Sequence, residues 1–118
     1  MMEKLLIVAL FITAQEFVCR GQNRVEQPSR EMTADKGDTV TLSCNYSVTT
    51  TNAYLFWYKQ LPNRSPTFML SAFTVGKGTT EDEFKERFNA PLDKTLRTVP
   101  LLIQDLQVSD SAVYYCAL

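Results

Sequence analysis

Two cysteines far apart in the chain, Cys44 and Cys116, constrain this sequence more than any other feature, because Trp57 stands thirteen residues after the first and Tyr114 two before the second. Each cysteine follows a strand-like run, and the alternation Val40, Leu42, Cys44 puts the first sulfur on the apolar face of its strand. A disulfide between two packed sheets needs both sulfurs to point inward, and closing a loop of roughly seventy residues contributes about 4 kcal/mol in the loop-entropy model. A large indole fills the volume beside the sulfurs. Tyr114 is placed so that its hydroxyl reaches back to the backbone of the preceding turn. The spacing predicts a β-sandwich pinned across its middle.

The third cysteine, Cys19, belongs to a different part of the chain. Lys4 supplies a positive charge, an apolar run covers Leu5 to Ala14, and the small residues Cys19 and Gly21 suit the positions before a cleavage at Gln22. Residues 1–21 are therefore expected to be a signal peptide and residues 22–118 a single domain. A membrane anchor needs about 18 to 25 apolar residues, and Gln15 and Glu16 interrupt this run too early. Removing Cys19 leaves an even pair in an oxidising, secreted setting. With no histidine and no Cys-x-x-Cys, a metal site has almost nothing to build from and no cofactor is expected. The same lack of a histidine base or nucleophile motif argues against an enzyme. Twelve basic against thirteen acidic residues give a net charge of −1, which argues against a nucleic-acid footprint.

Along the mature chain, Arg24 to Pro28 reads as an edge strand, and Lys36-Gly37-Asp38 as the turn before the strand that carries Cys44. Ser47 to Asn52 is rich in hydroxyls and reads as a loop. Tyr54 to Gln60 is a strand whose inward parity is held by Leu55 and Trp57, which leaves Phe56, Tyr58 and Gln60 outside. Pro66 and Phe68 of the next strand, and Tyr115 of the strand that ends at Cys116, share that outer face. A clustered set of outward aromatics suggests an interface; the alternative is that a loop of the same chain covers them. Phe73 to Thr80, with Gly76 and Gly78, reads as a short strand and its loop, and Glu81-Asp82-Glu83 as a solvated charge run. Leu96 to Leu106 is expected to be a strand and turn with Leu101, Ile103 and Leu106 in the core. Pro100 conflicts with it, and calls for a bulge or for an N–H position that faces out of the ladder. Asn45-Tyr46-Ser47 and Asn63-Arg64-Ser65 are glycan acceptor motifs; Asn45 is the favoured site, since Pro66 follows the second.

Taken together, Cys44, Leu55-Phe-Trp-Tyr-Lys-Gln60, Arg87-Phe88, Leu101-x-Ile103-x-x-Leu106 and Asp110-Ser-Ala-Val-Tyr-Tyr-Cys-Ala-Leu118 resemble the variable segment of a T-cell receptor alpha or delta chain, from Gln22 onward. The resemblance implies an all-β fold, the immunoglobulin V-type β-sandwich, here lacking strand G because the sequence stops two residues after Cys116. The edge of the preceding strand would then be open, and the third hypervariable loop would begin near Ala117 and Leu118. Arg87 and Asp110 would form a structural ion pair at the bottom of the sandwich. Phe56, Tyr58, Gln60, Pro66, Phe68 and Tyr115 would face a partner chain's variable domain, with Gln60 bonding to its counterpart. The implied antigen contacts are Ser47, Thr49, Thr50, Thr51, Asn52 and Tyr54 from the first loop and Phe73, Thr74 and Val75 from the second. Implied partners are a receptor beta chain (gamma for a delta chain), a peptide presented by an MHC molecule, and signalling subunits reached through a constant region. The implied location is the secretory pathway and the extracellular face of the plasma membrane. An adhesion or inhibitory receptor with one V-type domain is the competing expectation.

Overall fold

The structure is a computed structural model and describes residues 4–9, 24–27, 30–48 and 52–118. One layer is a five-stranded sheet in the order β3 (Arg30–Asp35), β1 (Lys4–Ala9), β10 (Ala112–Ala117), β6 (Tyr54–Gln60), β7 (Thr67–Phe73). The other combines β2 (Arg24–Glu26) with β5 (Asn45–Ser47), and β4 (Val40–Leu42) with β9 (Leu101–Ile103) and β8 (Phe88–Asn89). A bond of 2.9 Å from the Val99 N–H to the Cys44 carbonyl and a bridge between Asn45 and Thr98 join the two parts of this second layer. The fold is all-β.

The core follows from period-two alternation on both sides. Along β10, Ala112, Tyr114 and Cys116 are buried while Val113, Tyr115 and Ala117 are half-buried. Along β4 and β9 the inward residues are Val40, Leu42, Leu101 and Ile103. Cys44 and Cys116 form a disulfide across the layers, with Cα atoms 6.4 Å apart. Trp57 is wholly buried, and its indole N–H donates to the Val99 carbonyl at 3.1 Å. That bond satisfies the one polar atom of a side chain chosen for its apolar bulk.

Pro100 has a simple resolution. Because the Val99 N–H points toward β4 and β5, the next N–H along the strand would point the opposite way, toward β8. β8 ends at Asn89, paired with Leu102, so it has left the ladder before Pro100 is reached. No donor is sacrificed. The strand expected from Leu96 is shorter than expected for a related local reason: the Asp93 carboxylate accepts from the Thr95 and Leu96 N–H groups at 2.9 Å each and turns the chain. Leu96 is left exposed on that turn. The acidic run lies exposed on a 3-10 turn, Asp82–Phe84, with Phe84 buried beneath it against the Phe88 ring at 5.1 Å.

One strand, β1, comes from the segment ahead of Gln22. β1 lies in the slot between β10 and β3, parallel to β10 over Ile7–Ala9 with Ala112–Tyr114 and antiparallel to β3 along its whole length. The β10 edge is therefore occupied rather than open. An unpaired edge is a row of free donors and acceptors, and an extended apolar run satisfies them.

Candidate functional site

The outward side of β6 and β7 is built by a β-bulge. Trp57 pairs with Leu70 but Tyr58 pairs with Phe68, so Met69 is the extra residue. Strict alternation from Phe73 would turn Phe68 inward; the bulge buries Met69 and returns Phe68 to the outer face. There Tyr54, Phe73, Phe56, Phe68 and Tyr58 form a continuous row with successive ring centroids 5.1, 6.4, 6.3 and 5.8 Å apart. Edge-to-face contacts of this kind hold large rings in fixed orientations. Phe56, Tyr58, Phe68, Phe73 and Tyr115 are only half-buried, and Pro66 is exposed at the margin.

Gln60 extends the row. Its Oε1 accepts from the Tyr115 hydroxyl at 2.6 Å, and its Nε2 donates to the Arg64 carbonyl at 2.7 Å. Both ends of the amide are thus held within this chain, leaving one N–H and one lone pair for anything across the face.

The loop end is tied to the same strands. The Ala53 N–H donates to Thr74 Oγ1 at 2.8 Å and the Thr74 N–H to the Ala53 carbonyl at 3.1 Å, which clamps the entry to β6 against the exit from β7. Asn52, Tyr54 and Val75 are exposed, and Thr74 is half-buried. Phe73 is the last residue of β7 and packs on Tyr54 and Phe56, so it belongs to the aromatic row rather than to a loop. Ser47 is the last residue of β5, where its backbone pairs with Arg24. Thr49, Thr50 and Thr51 lie outside the described residues. Asn45 is exposed on β5 and Asn63 is exposed in the turn after β6.

At the opposite end, Arg87 donates through Nη1 and Nη2 to the two carboxylate oxygens of Asp110 at 2.8 and 3.0 Å. Asp110 is 1% exposed, and it also accepts from the Gln107 N–H at 2.8 Å. The Tyr114 hydroxyl donates to the Asp110 carbonyl, and burial pushes that hydroxyl far above its ordinary pKa. The hydrogen bond to Asp110 raises the Arg87 guanidinium further above its ordinary value. Lys59, half-buried nearby, is lowered by desolvation and raised less strongly by Asp110 and Glu83. Among the described residues no three His, Cys, Asp or Glu side chains gather as a metal site, and no helix is long and apolar enough to cross a membrane.

The Immunoglobulin V-set domain model matches residues 27–118. The human T cell receptor alpha variable 38-1 is 37% identical over 93 residues, which is 79% of this chain and 78% of that protein. The human T cell receptor alpha variable 12-1 is 32% identical over 113 residues, 96% of this chain and 94% of that one. The human T cell receptor alpha variable 38-2/delta variable 8 is 36% identical over 93 residues, 79% of this chain and 78% of that one. The chain belongs to the T cell receptor alpha/delta variable segments of the V-set family. That family is one of receptor domains, not of enzymes.

Two residues of this V-set domain carry more than their sequence pattern announces. Gln27 is wholly buried, donating from Nε2 to the Tyr114 carbonyl at 2.9 Å and accepting on Oε1 from the Cys116 N–H at 3.0 Å. A glutamine just past the end of a short strand gives no signal of this. Gly78 lies so close to β7 that a Cβ there would stand 1.9 Å from the Ser71 carbonyl oxygen. That approach lets the Ser71 N–H reach the Thr79 carbonyl at 2.7 Å.

Proposed function

We propose that this V-set domain is the antigen-recognising variable segment of a T cell receptor alpha chain, or of a delta chain, working as one half of a heterodimer. The observation that carries the reading is the aromatic row on the outer face of β6 and β7, half-buried in this chain and continued by Gln60 and Tyr115. A rigid row of rings with a polar margin has the composition of an interface core. The partner is the variable domain of a beta chain, or of a gamma chain for a delta chain, seated on Phe56, Tyr58, Gln60, Pro66, Phe68 and Tyr115.

Recognition of a presented peptide then falls to the end where Ala53 and Thr74 clamp the two loops, with Asn52, Tyr54, Thr74 and Val75 as contacts. Ser47 and Thr49 to Thr51 complete the proposed contact set. Polar, adaptable side chains on a fixed frame recognise by complementarity and need no chemistry of their own. In this reading residues 1–21 are a signal peptide whose removal takes β1 with it and frees the β10 edge, Asn45 carries a glycan, and the assembled receptor displays the domain on the outer face of the plasma membrane.

The test joins the chain to a joining segment and constant domain and co-expresses it with beta chains and, separately, gamma chains. Surface display with beta supports an alpha segment, and display with gamma alone a delta segment. Display with neither, while the Cys44–Cys116 bond forms, overturns the receptor reading and favours a lone adhesion domain.

A further inference from the structure

At the foot of the aromatic face, where β6 runs out beside the start of β10, a groove of about 410 Å³ opens between residues 60–63 and residues 111–113. We infer that this groove is a socket for one large, uncharged apolar side chain, leucine or an aromatic, projected by the partner variable domain. The inference rests on the pairing reading above and names what the partner must bring to it.

Three observations support the socket. None of its lining residues is charged, so an ionic side chain finds no counter-charge there. Its volume of about 410 Å³ is ample for a leucine or an aromatic side chain together with part of the segment that carries it. Its walls are also fixed in advance. Gln60 is held at both ends by Tyr115 and Arg64 and cannot swing down to fill the space. Pro62 and Asn63, the latter at φ +58°, set the turn that forms one side. A cavity already shaped before binding costs little ordering when a side chain enters, and such sites hold the anchor residues of interfaces.

The socket is continuous with the aromatic face. Val113 pairs with Gln60 in register, and Tyr115, two residues on, pairs with Tyr58. An occupant would therefore lie at one end of the row formed by Phe56, Phe68 and Tyr58. It also follows that Asn63 must stay without a glycan in the paired receptor, because an oligosaccharide at the rim would occupy the space that the partner needs.

The test uses the receptor heterodimer with three variants of this chain. Val113→Trp fills the groove from the β10 side. Leu61→Asp places a carboxylate in its exposed wall, where folding is least affected. Tyr58→Ala truncates the aromatic row outside the groove. The socket predicts that Val113→Trp and Leu61→Asp each weaken heterodimer association by about tenfold or more. It further predicts that one apolar residue of the partner, when truncated to alanine, causes no additional loss in the Leu61→Asp background. Wild-type association for Leu61→Asp, with loss for Tyr58→Ala, overturns the socket and leaves the pairing face standing. Wild-type association for all three overturns the pairing reading itself. A glycan found on Asn63 in the paired receptor also overturns the socket.

Discussion

The two sides of β6 use the same residue types for opposite ends. Leu55 and Trp57 point inward and are wholly buried, while Phe56 and Tyr58, each one residue along, remain half-buried beside the rings of Phe68 and Phe73. Trp57 has its polar atom satisfied inside the chain and its volume enclosed on every side. The outer aromatics have one side enclosed and the other free. Aromatic bulk alone therefore does not mark the core; what separates the two faces is whether this chain supplies the second surface.

That difference can be broken by substitution, and the largest effect belongs to the inner face. Trp57→Ala removes a fully enclosed side chain and the bond to Val99, and is expected to cost about 3–5 kcal/mol in denaturant unfolding. A loss below about 2 kcal/mol would mean that the inner face is not the tighter of the two. Next comes the closed end. Asp110→Asn leaves Arg87 without its carboxylate and is expected to cost about 3 kcal/mol, the low end for breaking a buried pair, since Arg87 keeps some solvent. Equal stability of the variant would show that the bonds to Gln104 and Asp105 alone hold Arg87.

On the outer face the effect is expected to divide between two measurements. Tyr58→Ala should cost about 1–2 kcal/mol of stability, less than Trp57→Ala, because one side of its ring keeps contact with water in this chain. The same variant should lower heterodimer association about tenfold. A large stability loss without any loss of pairing would collapse the distinction between the faces.

A subtler probe is alkaline pH. Tyr114 keeps its proton in the folded chain well above the value near pH 10 at which the unfolded chain releases it. The native state then holds more protons, so stability is full below about pH 10 and falls as pH rises further. Tyr114→Phe should flatten most of the slope, leaving the part owed to Tyr46, whose hydroxyl is also raised by burial. Lys59 has the opposite sign, since burial lowers its native pKa and the unfolded chain holds the proton more firmly. Lys59→Met is therefore the cleaner background for this titration. By itself it should change stability by no more than about 0.5 kcal/mol, the smallest effect of the series.

Much of this was legible before any coordinates, for reasons that particular residues make clear. The disulfide, Trp57, Tyr114 and the all-β class follow from parity and spacing, which act within one strand or between two known strands. The outward parity of Phe56 and Tyr58 follows in the same way. Legibility failed where one element decides the fate of another. Phe73 was expected in a loop, but the Met69 bulge and the rings of Tyr54 and Phe56 keep it in the sheet. Leu96 was expected in a strand, but the carboxylate three residues earlier caps a turn. Pro100 stayed ambiguous until the short reach of β8 was known. Gln27 gave no signal, because its bonding partners lie nearly ninety residues away in the sequence.

Gln27 also has a consequence for pairing along β10. Its amide occupies the Tyr114 carbonyl and the Cys116 N–H, and the strand seated beside β10 pairs no further than Tyr114. Above that point the edge of β10 is already sealed by a side chain of the same domain. A neighbouring strand and β10 must part company there, like two tracks at a switch whose position is welded. Because Gln27 lies outside the proposed signal peptide, a strand that takes the place of residues 4–9 beside β10 would meet the same limit.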